Sequence, residues 1–404
     1  MKQLIIIGSG ISGLACSYYL RKKFKIKIFE QNDYLGGHTH THLLENEKIH
    51  YDSGFIVFND KNYSNFIKLI NALHIKYQKS NMSFSVTNEK INYEWAGKNL
   101  RTIFDIKNIF TIRYFKILRD IIRFSKLCEN STLIHDYSLK KFLYKNNFSK
   151  EFINLYLLPM CSSIWSSDLN DIKNYNTSFI LNFFKNHGLN NIITKRPTWY
   201  TIKNGSKSYI KKIIKIVKPK IYLNEKVIKV DQKKKFIKTI KNKKYNYDHL
   251  IFANHTNQIK QILNRPERKQ LKLLNVVKYQ KNNITVHSDQ NLMPKNFKNW
   301  SSWNYLYSNK KLVLTYWMNL LQKLSCKKNI FVTLNYDKIK KDKIIKKISY
   351  EHPLFTNPLL TVDKISNAAQ GINNIWFSGA WLGYGFHEDG VKSALKVRKL
   401  INAK

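Results

Sequence analysis

The sequence predicts an α/β protein with a Rossmann-type dinucleotide-binding domain and a second, α+β domain, and three observations predict it. A short all-apolar strand near the N-terminus runs straight into a glycine turn, the following strand ends in an acid, and a second buried strand meets a glycine near the C-terminus. Helical and period-two material lies between these signals. The dinucleotide-binding domain is therefore expected from segments 1–75, 200–258 and 365–404, with a substrate or cap domain from 76–199 and 259–364. At 404 residues, 43% hydrophobic, the chain is long enough for two or three cores and too apolar for disorder.

Each element has its own reason. Gln3-Leu4-Ile5-Ile6-Ile7 shows no polar alternation, the pattern of a strand covered on both faces. Residues 12–22 read as a helix and 25–30 as a second, parallel strand, so strand, turn, helix and strand form a βαβ unit. Helical patterns recur at 60–75, 102–127, 138–158 and 174–187. In the second of these, Lys116, Arg119, Arg123 and Lys126 fall three or four apart, while Ile109, Phe110, Leu118, Ile121 and Ile122 lie mostly on another face. From about 220 the period becomes two, and strands are expected at 220–223, 226–231, 236–240, 248–253, 283–288, 312–318 and 330–334. Ile375-Trp376-Phe377-Ser378-Gly379 is a last buried strand, followed by a helix from about 390.

The formal charge of +44 arises from 70 basic and 26 acidic residues, and only nine of the 70 are Arg. Base-reading proteins depend on the bidentate Arg fork, and these Lys residues are scattered without forming a tail, so nucleic acid is not the expected partner. Diffuse positive charge suits an anionic membrane surface, and the basic face of 107–126 is the candidate contact. Cys16, Cys128, Cys161 and Cys326 lie far apart without a Cys-x-x-Cys pair, which suggests reduced thiols in a cytoplasmic protein. Leu4–Ile7 is too short for a signal peptide core, and no uncharged apolar stretch approaches 18 residues. The expected location is the cytoplasm, peripheral on the inner face of the membrane.

Gly8-Ser9-Gly10-Ile11-Ser12-Gly13 links the first strand to the first helix. In such a loop the first glycine makes the tight turn, the second admits a diphosphate to the helix N-terminus, and the third lets helix and strand approach. Glu30 ends the second strand, 20 residues past Gly10, where an acid accepts ribose hydroxyls. His38, His40 and His42 alternate and would share one face of an extended segment, but no acidic cluster accompanies them and no metal is expected.

Further motifs extend the pattern. Leu35-Gly36-Gly37-His38-Thr39, Asp52-Ser53-Gly54-Phe55, Lys203-Asn204-Gly205-Ser206, Val227, Ser378-Gly379-Ala380 and Glu388-Asp389-Gly390-Val391 occur in the order and context of the FAD-dependent amine-oxidase-like superfamily, which the sequence resembles. Met82-Ser83-Phe84, Leu158-Pro159-Met160, Ile164-Trp165-Ser166, Phe184-Lys185-Asn186-His187, Thr315-Tyr316-Trp317 and Gly383-Tyr384-Gly385-Phe386-His387-Glu388-Asp389-Gly390 sharpen the resemblance. They are similar to a poorly characterised "NAD/FAD-binding protein" oxidoreductase branch associated with cyclopropane-fatty-acid synthases. Asn204 and Ala380 depart from the superfamily pattern.

The resemblance implies non-covalent FAD held by Gly8, Gly10, Ile11, Ser12, Gly13, Glu30, Gly36, Gly37, His38, Thr39, Gly54, Phe55, Val227, Gly379, Asp389, Gly390 and Val391. It implies a substrate pocket with Trp317, Tyr316, Tyr384 and His387, and His387 as a catalytic candidate. Amine oxidases carry a lysine on a substrate-domain strand. Here Asn283 occupies the matching position, and Lys281 is the candidate replacement two residues earlier. The activity implied is hydride abstraction from an apolar, fatty acyl or lipid substrate, with electrons passed to O₂ or another acceptor. The alternatives are a flavin amine oxidase, a redox-neutral flavin isomerase, and an FAD-binding partner of a lipid-modifying methyltransferase.

Overall fold

The computed structural model describes residues 1–44, 48–91, 93–96, 111–129, 137–187, 189, 197–308 and 311–403. Ile109, Phe110 and the start of the expected helix at 102–127 lie outside the described residues. Strand β1 (Lys2–Ile7) is followed by helix α1 (Ile11–Leu20) and strand β2 (Phe24–Phe29). Five parallel strands form one sheet in the order Lys220–Tyr222, β2, β1, His249–Phe252, Ile375–Phe377. Every one of them falls within 1–75, 200–258 or 365–404.

The unbroken apolar run of β1 is explained by two separate cores. Leu4 and Ile6 pack with Leu14, Val391 and Ala394 beneath α1 and the final helix, His387–Asn402. Ile5 and Ile7 pack on the other face with Val227, Ile259 and Leu273. Since β1 has a neighbour on each side whose connection departs in the opposite direction, its C-terminal end is a topological switch point. Gly8 stands there with φ +101°, and a Cβ would lie 2.7 Å from Ala253 O on the adjacent strand end. Only glycine permits that turn.

The second unit is a seven-stranded sheet in the order Ile344–Leu354, Lys278–His287, Phe331–Leu334, Lys311–Trp317, Trp303–Ser308, Phe84–Asn88, Tyr93–Ala96. A helical layer accompanies it, including Ile112–Glu129, Leu158–Trp165 and Thr177–Asn186, and its core is rich in Phe. The helical character expected over 138–158 is broken after Lys145, where Asn146 and Asn147 leave helical geometry, and resumes at Lys150–Phe152, which runs into a π turn at Ile153–Leu157. The eleven-residue strand Ile344–Leu354 has no counterpart in the sequence reading. Lys346 and Lys347 interrupt its pattern, and pairing along nearly the whole of Lys278–His287 is what makes it a strand.

Candidate functional site

A cavity of about 1100 Å³ begins at the glycine loop and runs between the seven-stranded sheet and the helical layer. That exceeds the roughly 300–1000 Å³ usual for one small ligand. At its nucleotide end, Ser9–Ser12 expose the start of α1. This helix has no side-chain cap and no acid in its first turn, so its leading N–H groups are left for an anion. A Cβ on Gly10 would meet nothing nearer than Gly36 O at 4.0 Å, and the Gly10 backbone (φ −64°) suits any residue. Protein packing does not require glycine there, and the space beside it is open.

Glu30 is set before any ligand arrives. Its Oε2 accepts Ser9 N–H at 3.0 Å and the Ser9 hydroxyl at 2.6 Å, and its Oε1 accepts Asn32 N–H at 3.0 Å. His38 contributes a second feature that suits a ligand: its Nε2 is buried without a partner in the cavity wall. Burial and the neighbouring His352 and His255 hold that imidazole neutral, far below its ordinary pKa. An open glycine, uncapped amides, an oriented carboxylate and an orphaned buried nitrogen together fit a dinucleotide.

The structure divides the expected cofactor residues. Gly8, Gly10, Ile11, Ser12, Glu30, Gly36, Gly37, His38, Gly54, Phe55, Val227 and Gly379 line the cavity. Gly13, Thr39, Asp389, Gly390 and Val391 do not line it. A Cβ on Gly13 would stand 2.1 Å from Gly8 O, and one on Gly390 would stand 2.7 Å from Ile11 Cγ2, so both glycines serve helix packing. Val391 is fully buried in the core. Asp389 accepts Phe386 N–H at 3.0 Å, capping the final helix, and burial raises its pKa to about 6. Thr39 Oγ1 meets His387 Nε2 at 2.9 Å beside Tyr209.

His387 lies on the cavity wall with its ring stacked on Phe55, centroids 3.5 Å apart. Its Nε2 is shared between Thr39 and the Tyr209 hydroxyl at 3.1 Å, and burial lowers its pKa to about 3. It is a neutral imidazole with that nitrogen already occupied. Tyr316 and Tyr384 also line the cavity. Trp317 does not: it faces the other side of its strand, against Trp300, and donates Nε1–H to Asn329 at 3.0 Å. Lys281 is exposed, as is Asn283. The inward positions of that strand are Asn282 and Ile284, one residue out of phase with the expected lysine site.

Several site residues escaped the sequence reading. Tyr350, Glu351 and His352 reach the cavity from the unforeseen strand, facing His255 and Tyr279. A chain of amides sets His352: Asn283 N–H donates to Asn335 Oδ1, Asn335 Nδ2 to Asn282 Oδ1, and Asn282 Nδ2 to both Ser166 O and His352 Nδ1. Because His352 Nδ1 accepts, its neutral ring carries the proton on Nε2, and burial lowers its pKa to about 4. His255 Nδ1 meets Glu351 Oε2 at 3.2 Å, and this hydrogen bond, ahead of other causes, lowers the Glu351 pKa. No sequence spacing connects these residues; only the strand pairing does.

The far end of the cavity is apolar. Ile117, Leu118 and Ile121 from one helix face Met160, Ile164 and Phe183 from others. Two indole nitrogens in the walls, Trp165 Nε1 and Trp303 Nε1, are buried without a partner. The cavity carboxylates Glu30, Glu225 and Glu351 are each already bonded, Glu225 to Lys241 at 2.7 Å and Thr239 at 2.7 Å. Among the described residues no group of three or more ligand side chains could hold a metal ion, and all four cysteines are free.

Fold and site together define a protein with a Rossmann-like segment whose site fits a dinucleotide. A family model described as an NAD(P)-binding Rossmann-like domain matches residues 6–73. A 1-hydroxycarotenoid 3,4-desaturase from Flavobacterium sp. (strain P99-3) is 29% identical over 222 residues, a match covering 52% of this chain and 41% of that protein. A CLA-producing fatty acid isomerase from P. acnes superposes with a TM-score of 0.70 at 12% identity, covering 100% of this chain and 98% of the other. Cyclohexylamine oxidase from Brevibacterium oxydans IH-35A does so with a TM-score of 0.70 at 12% identity and 99% coverage of each. The fold is therefore shared with these two enzymes, and residues 6–73 carry the Rossmann-like segment.

Proposed function

We propose that the protein is an FAD-dependent oxidoreductase acting on a long apolar substrate of the fatty acyl class. The observation that carries this reading is the continuity of the cavity, from the glycine loop to a chamber walled by Ile117, Leu118, Ile121, Met160, Ile164 and Phe183. When bound, FAD supplies the two-electron acceptor for oxidation at a substrate carbon. The α1 amides and Gly10 would take its diphosphate, Glu30 its ribose, and Val227 its adenine, with Gly36–His38 and Gly54–Phe55 along the remainder.

The chain's own residues would select and orient the substrate. The aliphatic and aromatic walls exclude water, and the unpaired Trp165 and Trp303 N–H groups are donors for an acyl oxygen. Neutral His38, His352 and His387 add no positive charge of their own to the cavity at pH 7. Among the described residues an amine substrate finds no carboxylate of the cavity without a partner, and Lys281 does not line it, which disfavours amine oxidation. The names of two similar proteins, a carotenoid desaturase and a fatty acid isomerase, agree with a long apolar substrate.

The second of these favours a redox-neutral isomerisation as the alternative outcome at the same site. Anaerobic incubation of the yellow protein with free fatty acids, phospholipids and polyamines, with product mass spectrometry, separates the readings. Bleaching with a product two hydrogens lighter supports oxidation, and an isomer of unchanged mass supports isomerisation. Bleaching by polyamines alone refutes the acyl reading.

A further inference from the structure

The helix Ile112–Glu129 is amphipathic on both sides, which a helix at the edge of a folded protein does not need. Its inner residues Tyr114, Ile117, Phe124 and Cys128 are buried, and Ile117, Leu118 and Ile121 form cavity wall. Its outer face should then be polar. Instead Ile112 is 77% exposed, Phe115 60% and Ile122 53%. At about 100° per residue these three fall with Lys116, Arg119, Arg123 and Lys126 inside one arc of about 120°. The only acid within the middle turns, Asp120, is fully buried beneath Arg119 and Arg123, which it bonds at 3.0 and 2.9 Å. Lys116 pairs with Glu151, leaving Lys126 and one positive charge of the Arg pair outward.

The patch continues onto the neighbouring helix Leu139–Lys145. Arg123 Nη2 donates to Asn146 O at 2.6 Å, which ties the two helices together. Two residues before that carbonyl, Tyr144 is 83% exposed, flanked by exposed Lys140, Lys141 and Lys145 with no acid on the helix. Exposed aliphatic and aromatic side chains ringed by cations are complementary to the acyl–headgroup boundary of an anionic bilayer. Basic residues near such a surface are drawn to its anionic headgroups, and an aromatic at headgroup level adds an anchor.

We propose that this two-helix face, with Ile112, Phe115, Ile122 and Tyr144 as its apolar contacts, docks the protein on an anionic lipid surface. The helix that contacts lipid outside is then the one that walls the apolar cavity inside, so substrate would leave the bilayer beside its binding site. That consequence rests on the acyl-substrate reading; docking itself does not.

The test is flotation of the full chain with vesicles of phosphatidylglycerol and phosphatidylcholine, against phosphatidylcholine alone, at physiological salt. Ile112→Ser/Phe115→Ser/Ile122→Ser and Lys140→Glu/Lys141→Glu/Lys145→Glu should each lower partitioning to anionic vesicles at least tenfold. Lys233→Glu/Lys234→Glu/Lys347→Glu, an equal charge change on exposed residues elsewhere, should lower it less than threefold. Retained flavin colour and an unchanged melting temperature establish that each variant is folded. Equal binding to neutral vesicles, or equal losses for the patch and the distant variant, would overturn the proposal. Since no substrate is present, failure here leaves the acyl reading standing, and failure to oxidise a detergent-dispersed fatty acid leaves docking standing.

Discussion

Replacing Gly10 and Gly13 by alanine separates the two jobs that glycines do in the first loop. At Gly10 the added methyl has open space, with its nearest protein atom 4.0 Å away, and the backbone is in the extended region. Alanine is a poorer N-cap than glycine by roughly 0.5–1 kcal/mol, and restricting the unfolded chain returns about 0.4–1 kcal/mol. The net effect on stability is therefore within about 1 kcal/mol of zero. A bound diphosphate, however, would share the space the methyl enters, and FAD affinity should fall at least about tenfold, or roughly 1.4 kcal/mol. At Gly13 the methyl would lie 2.1 Å from Gly8 O and 3.2 Å from Ala253 Cβ, both held by the sheet. Overpacking of that kind costs about 1–3 kcal/mol, and more where backbone must move. Urea unfolding of the cofactor-free variants and fluorescence titration with FAD give both quantities. A Gly10→Ala protein with wild-type FAD affinity would refute the placement of the diphosphate, and one as unstable as Gly13→Ala would refute the packing argument.

Two further outcomes follow from the site. Burial lowers the folded-state pKa of His387 to about 3 from an ordinary 6.5, so its stabilising contribution is complete above 6.5 and is lost as pH falls toward 3. His387→Phe keeps the stack on Phe55 and should reduce the stability lost between pH 7.5 and 5.5 by about 1.4 kcal/mol, measured by denaturant titration at both pH values; parallel losses in the two proteins would contradict a buried neutral imidazole. Lys281→Met should leave FAD affinity and turnover within about twofold, since an exposed ammonium outside the cavity lining contributes little, and a tenfold loss of turnover would return that lysine to the site.

What was legible in the sequence was whatever is contiguous along the chain. The glycine loop, Glu30 and the paired glycines Gly36 and Gly37 work through local backbone conformation, and a strand–turn–helix unit places them the same way wherever it folds. Strand phase was the recurrent failure. Trp317 and Lys281 each lie one position from a buried residue, Tyr316 and Asn282, and aromatic and polar residues occupy both faces of those strands, so no alternation marks the inner one. Glycine has two uses in one motif, and spacing alone cannot tell Gly10, which leaves room for a ligand, from Gly13 and Gly390, which leave room for helices.

By itself, then, the sequence determined the dinucleotide-binding end of this protein, because hydrogen bonding and close packing there are satisfied within short segments. Only the tertiary structure decided the other end. The imidazole of His38 meets those of His255 and His352, each more than 200 residues further along the chain, and His352 receives its tautomer from Asn282, which Asn335 just past the end of another strand holds in place. It also decided the meaning of the basic helix. The sequence distinguishes charged from apolar residues, but which apolar residues are left facing water depends on what the rest of the chain covers.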